Sequence, residues 1–147
     1  MSYDNLATVH QLAAYVWFGS LLGTLMFTYL ASRRSPDGLV LGAAKIVRIS
    51  TLIGLPAALV LLIAGFWMMG IAGLNYGSAW VSIGFVAWLL AALVGSGLQH
   101  PAARRMRNAG LGSPEALRMA RRIILICAVQ IAVIIVAVWV MGAQPGG

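Results

Sequence analysis

Charge is scarce in this sequence, and acidic charge is the scarcest. Only 9% of the 147 residues are charged, and Asp and Glu together number 3. A soluble domain carries roughly 25% charged residues, so this composition excludes an ordinary soluble domain. The single cysteine, Cys127, excludes a disulfide within the chain and a metal site built from cysteines. Because Cys127 sits in an apolar run, we expect a small buried side chain rather than a reactive thiol.

Catalytic and ion-coupling groups are also missing. No Asp, Glu or Lys lies well inside an apolar stretch, although proton pumps and cation-coupled transporters usually need a carboxylate at membrane depth. The chain lacks a Ser–His–Asp set, a phosphate-binding loop and a dinucleotide-binding fingerprint. No cluster of Met, His and Cys has the spacing of a copper site. These absences favour a protein without catalytic activity of its own.

Apolar sequence dominates what is present. Hydrophobic residues make up 61% of the chain, and the mean hydropathy is +0.93. About 20 apolar residues span the ~30 Å hydrocarbon core of a bilayer, and they must form helices because lipid offers no hydrogen bonds to the backbone. Short connections between such spans predict an all-α, integral membrane, four-helix up-down bundle. The predicted single transmembrane domain covers residues 1–147, with spans at about 6–30, 46–71, 79–99 and 123–141.

The basic residues indicate how the bundle is oriented. All ten Lys and Arg lie in or next to two connecting segments, 31–45 and 100–122. By the positive-inside rule these loops are cytoplasmic, so both termini lie on the outer (periplasmic) side of a bacterial inner membrane. The net charge of +7 is therefore a topology signal and not a nucleic-acid footprint. The expected topology anchors, which would also bind anionic lipids at the cytoplasmic face, are Arg33, Arg34, Arg104, Arg105, Arg107, Arg118, Arg121 and Arg122.

Helix boundaries within the two basic loops can be predicted from turn and capping residues. The segment 35–38, SPDG, is a turn signal. The pair His100–Pro101 predicts the end of the third span, because the residue before proline disfavours the α conformation. Ser113 fits a helix N-cap, Pro114 fits the first helical position, and Glu115 suits the positive first turn.

Small and polar residues predict how the helices pack. Gly19 and Gly23 form a GxxxG pair, which favours close approach of another helix. Pro56 predicts a kink in the second span, and Gln130 is expected to hydrogen-bond across the bundle. One stripe of the first helix gathers polar and small side chains and is expected to face the bundle interior: His10, Ala13, Trp17, Ser20, Thr24 and Phe27.

His10 is a candidate site residue for which the sequence allows three different roles. It could be an interfacial residue that hydrogen-bonds to a neighbour, an axial ligand of haem b with its iron held between helices, or part of a proton relay. The topology places His10 and His100 at opposite faces, so one haem cannot use both. A second ligand at the outer end would have to be Met68, Met69, Met141, water or His10 of another copy. Trp17 is among the aromatic residues that could line a haem or quinone pocket.

Three segments resemble a known family. The stretches HQLAAYVWFGSLL, AWVSIGFVAWLLAALVGSGLQHPAARR and SPEALRMARRIILICAVQIAVIIVAVWVMG resemble the first, third and fourth helices of small bacterial membrane proteins. The family is that of the predicted integral membrane proteins called domain of unknown function 2269. The resemblance covers essentially the whole chain and implies a four-helix membrane fold.

More distant similarity extends to the copper-resistance D type membrane proteins and the four-helix protoporphyrinogen oxidase. Both have a histidine in the first helix, and in the oxidase this histidine is linked to haem, which by resemblance implicates His10. The Pro-Arg element and the third-helix lysine of the oxidase are absent from MFTYLASRR and WVSIGFVAW, respectively, which argues against oxidase activity.

Two functional hypotheses follow. The first is an accessory subunit of a larger inner-membrane complex, of respiratory or photosynthetic electron transfer, that binds other membrane subunits and lipid. The alternative is a b-type haem redox protein with His10 as axial ligand.

Overall fold

The chain folds into long helices that pack side by side. The computed structural model describes residues 2–34, 36–73, 75–110 and 112–143. Within them, four helical segments are long and apolar enough to cross a membrane, and these described residues form no strand. The predicted all-α membrane bundle is thus confirmed. The helices are α1 (Tyr3–Arg34), α2 (Pro36–Ala72), α3 (Ala79–Val94), a π-helical turn (Gly95–Gln99), α4 (His100–Asn108) and α5 (Pro114–Ala143).

The third membrane helix does not stop where the sequence predicts. Helix α3 continues through the π turn into α4, so the backbone stays helical across His100–Pro101 to Asn108. The prediction that this pair ends the helix is wrong. Proline has no N–H to donate and its ring crowds the preceding turn, and a π turn just before it is one way in which a helix accommodates such a residue. His100 itself keeps a helical φ of −63° and ψ of −49°.

Helix α4 is amphipathic and packs against the rest of the bundle. It buries Ala102, Ala103 and Met106 against α2 and α5, while its arginines stay exposed. The reversal into α5 uses Gly110 and Gly112, whose φ angles of +84° and +67° favour glycine. The Ser113 hydroxyl accepts a hydrogen bond from the Ala116 N–H at 3.1 Å, which confirms the predicted N-cap.

The predicted SPDG turn includes Ser35, which lies outside the described residues.

The core is divided into two apolar clusters by a layer of polar side chains. Helices α1 and α2 form the most extensive pairing, and α5 packs against both α1 and α3. The central core consists of Trp17, Leu21, Ala57, Ala58 and Ala91. The basic-end core lies where the arginines are and consists of Ala43, Val47, Ala102, Ala103, Met106, Ala116, Met119, Ala120, Ile123 and Cys127.

The outer surface of the bundle is strongly apolar. Leucine, isoleucine and valine side chains such as Leu12, Ile63, Leu93, Leu125 and Val138 are more than half exposed. Soluble monomers rarely expose contiguous apolar patches beyond a few hundred Å². Together with the length of the helices, this surface is that of a protein whose helices contact lipid.

Candidate functional site

A buried pair of glutamine amides lies inside the bundle. Gln130 of α5 is 2% exposed and Gln99 of the π turn is 3% exposed. Gln99 Nε2 donates to Gln130 Oε1 at 2.6 Å and to Cys127 Sγ at 3.2 Å. Gln130 Nε2 in turn donates to the backbone oxygen of Ala91 at 2.7 Å. The amide pair therefore joins α3, the π turn and α5 by hydrogen bonds.

Gly95 makes room for this pair. A Cβ atom built on Gly95 would lie 2.5 Å from Gln130 Nε2, closer than non-bonded atoms can approach. With a side chain at the first residue of the π turn, the Gln130 amide would have to shift from its present position beside the Ala91 oxygen. Gln130 was expected to hydrogen-bond across the bundle, but Gln99, the last residue of the predicted third span, was not predicted as its partner. The one available signal was the glycine-rich GSG at 95–97, which is unusual inside an apolar helix.

Hydroxyl groups from α1 and α2 face the amide pair across the bundle. Ser20 Oγ donates to the Trp17 oxygen at 2.7 Å, and Ser50 Oγ crosses from α2 to donate to the Ser20 oxygen at 3.0 Å. Thr24 Oγ1 also donates to the Ser20 oxygen, at 2.9 Å, and Thr51 Oγ1 donates to its own helix. The hydroxyl protons are therefore used on backbone oxygens, which leaves the hydroxyl oxygens as acceptors.

A small cavity separates the hydroxyls from the amides. Its volume is about 40 Å³. Every membrane helix contributes to its wall, which combines apolar side chains of the central core with the polar groups described above. The lining residues are Trp17, Ser20, Leu21, Ser50, Thr51, Gly54, Leu55, Ala58, Ala91, Ala92, Gly95, Gln99 and Gln130.

His10 lies apart from this cavity, between α1 and the second half of α2. Its Nδ1 is 2.9 Å from the backbone oxygen of Leu61, and the side chain is half-buried. A carbonyl can only accept, so Nδ1 carries the proton and Nε2 keeps its lone pair. A Cβ atom on Gly65 would lie 3.1 Å from the imidazole Cε1, so Gly65 leaves space for the ring.

The structure places the predicted haem-pocket residues in different surroundings. Trp17 is 7% exposed and belongs to the central core. Met68 is half-buried and Met69 is buried, three and four residues beyond Gly65 on α2. His100 begins α4, which packs into the basic-end core, so it lies at the other end of the bundle from His10. Within the described ranges, no three His, Cys, Asp or Glu side chains are grouped as a metal site would need.

Among the described residues, the predicted packing glycines contact no other helix. Gly19 and Gly23 are exposed on α1, and a Cβ atom on either would have nothing within 4 Å. Gln11 and Tyr15 precede them at the same four-residue spacing, and Tyr15 is 70% exposed. We call Gln11, Tyr15, Gly19 and Gly23 the outer row of α1. Residues at this spacing lie on one face of a helix.

The inward stripe of α1 is found with one exception. Ala13, Trp17 and Thr24 are buried, and His10 and Ser20 are half-buried. Phe27 is 40% exposed instead, since its ring lies on the side of the bundle where it contacts Gly42 of α2. Pro56 is exposed, and α2 continues as a helix on both sides of it.

The cationic side chains form an exposed basic end. All ten Lys and Arg side chains, including Lys45 and Arg48 of α2, are exposed. The Arg33 guanidinium lies 4.9 Å from the centre of the Tyr29 ring, in a cation–π arrangement. The six arginines that follow the π turn are divided between α4 and the first turns of α5.

Comparison with known proteins identifies a family match over almost the whole length. The family model described as "Predicted integral membrane protein (DUF2269)" matches residues 4–145. Comparison with curated proteins and with solved structures gives no match. The more distant similarity to copper-resistance D type proteins and to the four-helix protoporphyrinogen oxidase stays a prediction.

Proposed function

The chain belongs to the DUF2269 family of predicted integral membrane proteins, and we propose that it is an accessory subunit of a larger membrane complex. The complex we infer is one of respiratory or photosynthetic electron transfer in a bacterial inner membrane. In this role the bundle binds a neighbouring subunit through one helix face and contacts lipid elsewhere. It performs no chemistry of its own.

The observation that carries this proposal is the outer row of α1. Small residues at helix interfaces in membranes allow two backbones to approach closely, and GxxxG is the best-known arrangement. In this chain the pair Gly19 and Gly23 is exposed, and no helix in the described part of the bundle covers it. Gln11 and Tyr15 add hydrogen-bonding groups along the same face, and a partner helix could pair with them. Lipid tails offer no such pairing.

Gentle extraction from the native membrane tests the proposal. We expect the protein to migrate with much larger membrane proteins in a mild detergent and to be recovered together with them. Identification of the co-purifying bands by mass spectrometry would show whether they are redox proteins. Recovery of the native protein only as a free monomer, under conditions that preserve known complexes of the same membrane, would contradict it.

A second candidate function is supported by the geometry of His10. Histidines that bind metals usually donate their other ring N–H to a carbonyl or carboxylate, which fixes the ring and its tautomer. The Nδ1–H of His10 does this with the Leu61 oxygen, so Nε2 is the nitrogen that could serve as an axial ligand of haem b. If haem binds, His10 would hold its iron through Nε2, and the haem would supply one-electron transfer.

An optical spectrum decides this second candidate. If His10 binds haem, the protein purified from its native membrane shows a Soret band, and His10→Ala removes it. His100→Ala is the matched control and keeps the band, because His100 lies at the opposite end of the bundle. A colourless, folded protein made with ample haem supply would contradict haem binding. His10 would then serve only to link α1 to α2 through its hydrogen bond to Leu61.

The basic end also supports an orientation. We infer that it faces the cytoplasm, where its arginines bind the phosphates of anionic lipids, and that the amino terminus is periplasmic. With a membrane-impermeant maleimide on intact spheroplasts, we expect Ser2→Cys to be labelled and Asn108→Cys to be labelled only after permeabilisation. The native Cys127 is fully buried and should give little background. The reverse labelling pattern would overturn the orientation.

A further inference from the structure

The cavity between the hydroxyls and the amide pair has an unbalanced set of hydrogen-bonding groups. Ser20, Ser50 and Thr51 donate their hydroxyl protons to backbone oxygens, so toward the cavity they can only accept. Gln99 uses its Nε2 group on Gln130 and Cys127, which leaves its Oε1 as an acceptor. Among the lining side chains, the donors not already used are the second Gln130 Nε2 proton and the Trp17 indole N–H, fewer than these acceptors. The cavity wall therefore needs a molecule that donates.

We propose that this cavity is a water-binding site in the middle of the membrane domain. A water molecule needs about 10–15 Å³ by the measure that gives this cavity about 40 Å³. The space therefore holds roughly three or four waters, and it is too small for a ring or a lipid headgroup. Each water donates two protons, which matches the excess of acceptors.

Charged donors do not fit the same site. The lining residues include no carboxylate, so a cation there would be buried among neutral groups at high cost. The polar side chains Ser50, Gln99 and Gln130 are each more than nine-tenths buried, so the polar part of the site is built into the fold. Water is thus the ligand that fits this cavity: it is neutral, it is small enough for the volume, and it donates two protons to the acceptors on the wall.

The bound water would connect the two halves of the bundle. Ser20, Ser50 and Thr51 belong to the α1–α2 hairpin, whereas Gln99 and Gln130 belong to the π turn and α5. Helices α2 and α3 contact each other over only a short stretch, to which Trp88 contributes a hydrogen bond to the Ala58 oxygen at 2.9 Å. A water bridge across the cavity would add polar contacts between the halves where direct packing is sparse.

X-ray radiolysis footprinting tests the site, because hydroxyl radicals form on the bound water itself and modify adjacent side chains. Trp17 lines the cavity and is almost fully buried, while Trp88 is half-buried and lies outside the cavity. In the intact protein in nanodiscs, we expect Trp17 to be oxidised several-fold faster than Trp88, the reverse of their order of exposure. If Trp17 is no faster than Trp88, the cavity is dry and the proposal fails.

A filled variant adds a second readout. Ser50→Val replaces a lining hydroxyl with methyl groups and should bring the Trp17 rate down to that of Trp88. Ser82→Val, on the exposed side of α3, should leave the ratio unchanged. A folded Ser50→Val protein with the wild-type ratio would overturn the placement of the water. If Ser50→Val does not fold, the two tryptophan rates of the wild-type protein decide alone.

Discussion

Replacing Gly19 and Gly23 together with leucine is expected to release the protein from its complex without unfolding it. Both positions are exposed, and a Cβ atom on either would have no described atom within 4 Å, so the bundle itself is expected to tolerate the change. Leucine is also the better helix former, by roughly 1 kcal/mol per site in soluble helices. Two added side chains on the outer row of α1 would, however, hold a partner helix away from the close contact that glycine allows. We expect most of the co-purifying protein to be lost, while the thermal unfolding midpoint in detergent stays the same or rises.

Gly142→Leu is the matched control for the pair. Gly142 is also exposed with nothing within 4 Å, but it lies near the end of α5, away from the outer row of α1. That variant should remain in the complex. A Gly19→Leu, Gly23→Leu protein that stays in the complex at wild-type levels would show that the partner binds elsewhere. A destabilised double variant would show that the outer row is packed within the protein itself.

The largest effect on stability is expected from Gly95→Ala. The new Cβ would lie 2.5 Å from Gln130 Nε2, so the amide must move and its bonds to Gln99 and the Ala91 oxygen must lengthen. Overpacked interiors typically lose about 1–3 kcal/mol. Gly97→Ala, in the same π turn, has nothing within 4 Å and should be neutral or slightly stabilising. The free energy of unfolding of both variants can be compared by denaturant titration in micelles, followed by circular dichroism.

A double-mutant cycle ties this cost to its cause. In a Gln130→Ala background the amide nitrogen is gone, so Gly95→Ala should then cost much less than it does in the wild-type protein. Equal costs in the two backgrounds would mean that Gly95 acts through the helix backbone and not through Gln130. Equal effects of Gly95→Ala and Gly97→Ala would contradict the steric argument altogether.

Hydropathy and capping patterns were sufficient to predict the four membrane helices and the start of α5. These features depend on short stretches of chain: about 20 apolar residues require a helix in lipid, and Ser113 followed by Pro114 caps one. The helix through Pro101 was not predictable in the same way. Whether a proline ends or only distorts a helix depends on the turn before it and on the packing of Ala102 and Met106 beyond it.

The candidate sites depended on information that one sequence does not contain. Gln130 could be recognised as a polar residue in need of a partner, but its partner Gln99 is 31 residues away and is selected by the rotation of one helix against another. The same applies to Gly19 and Gly23, whose spacing predicts a packing face without saying which helix it meets. Their exposure follows from the packing of the other helices: α2 and α5 contact other sides of α1, and α3 packs away from it.

The π turn also has a consequence for the helical phase of everything that follows it. A π turn contains one residue more than an α turn, and each residue of an α-helix advances about 100° around the axis. Without that extra residue, the face carrying Ala102, Ala103 and Met106 would be rotated by about 100°, and arginines would turn toward α2 and α5. The π turn Gly95–Gln99 thus rotates the side chains of α4 around the helix axis relative to those of α3. One continuous helix can therefore be apolar on most sides in α3 and amphipathic in α4, with the apolar face of α4 directed toward α2 and α5.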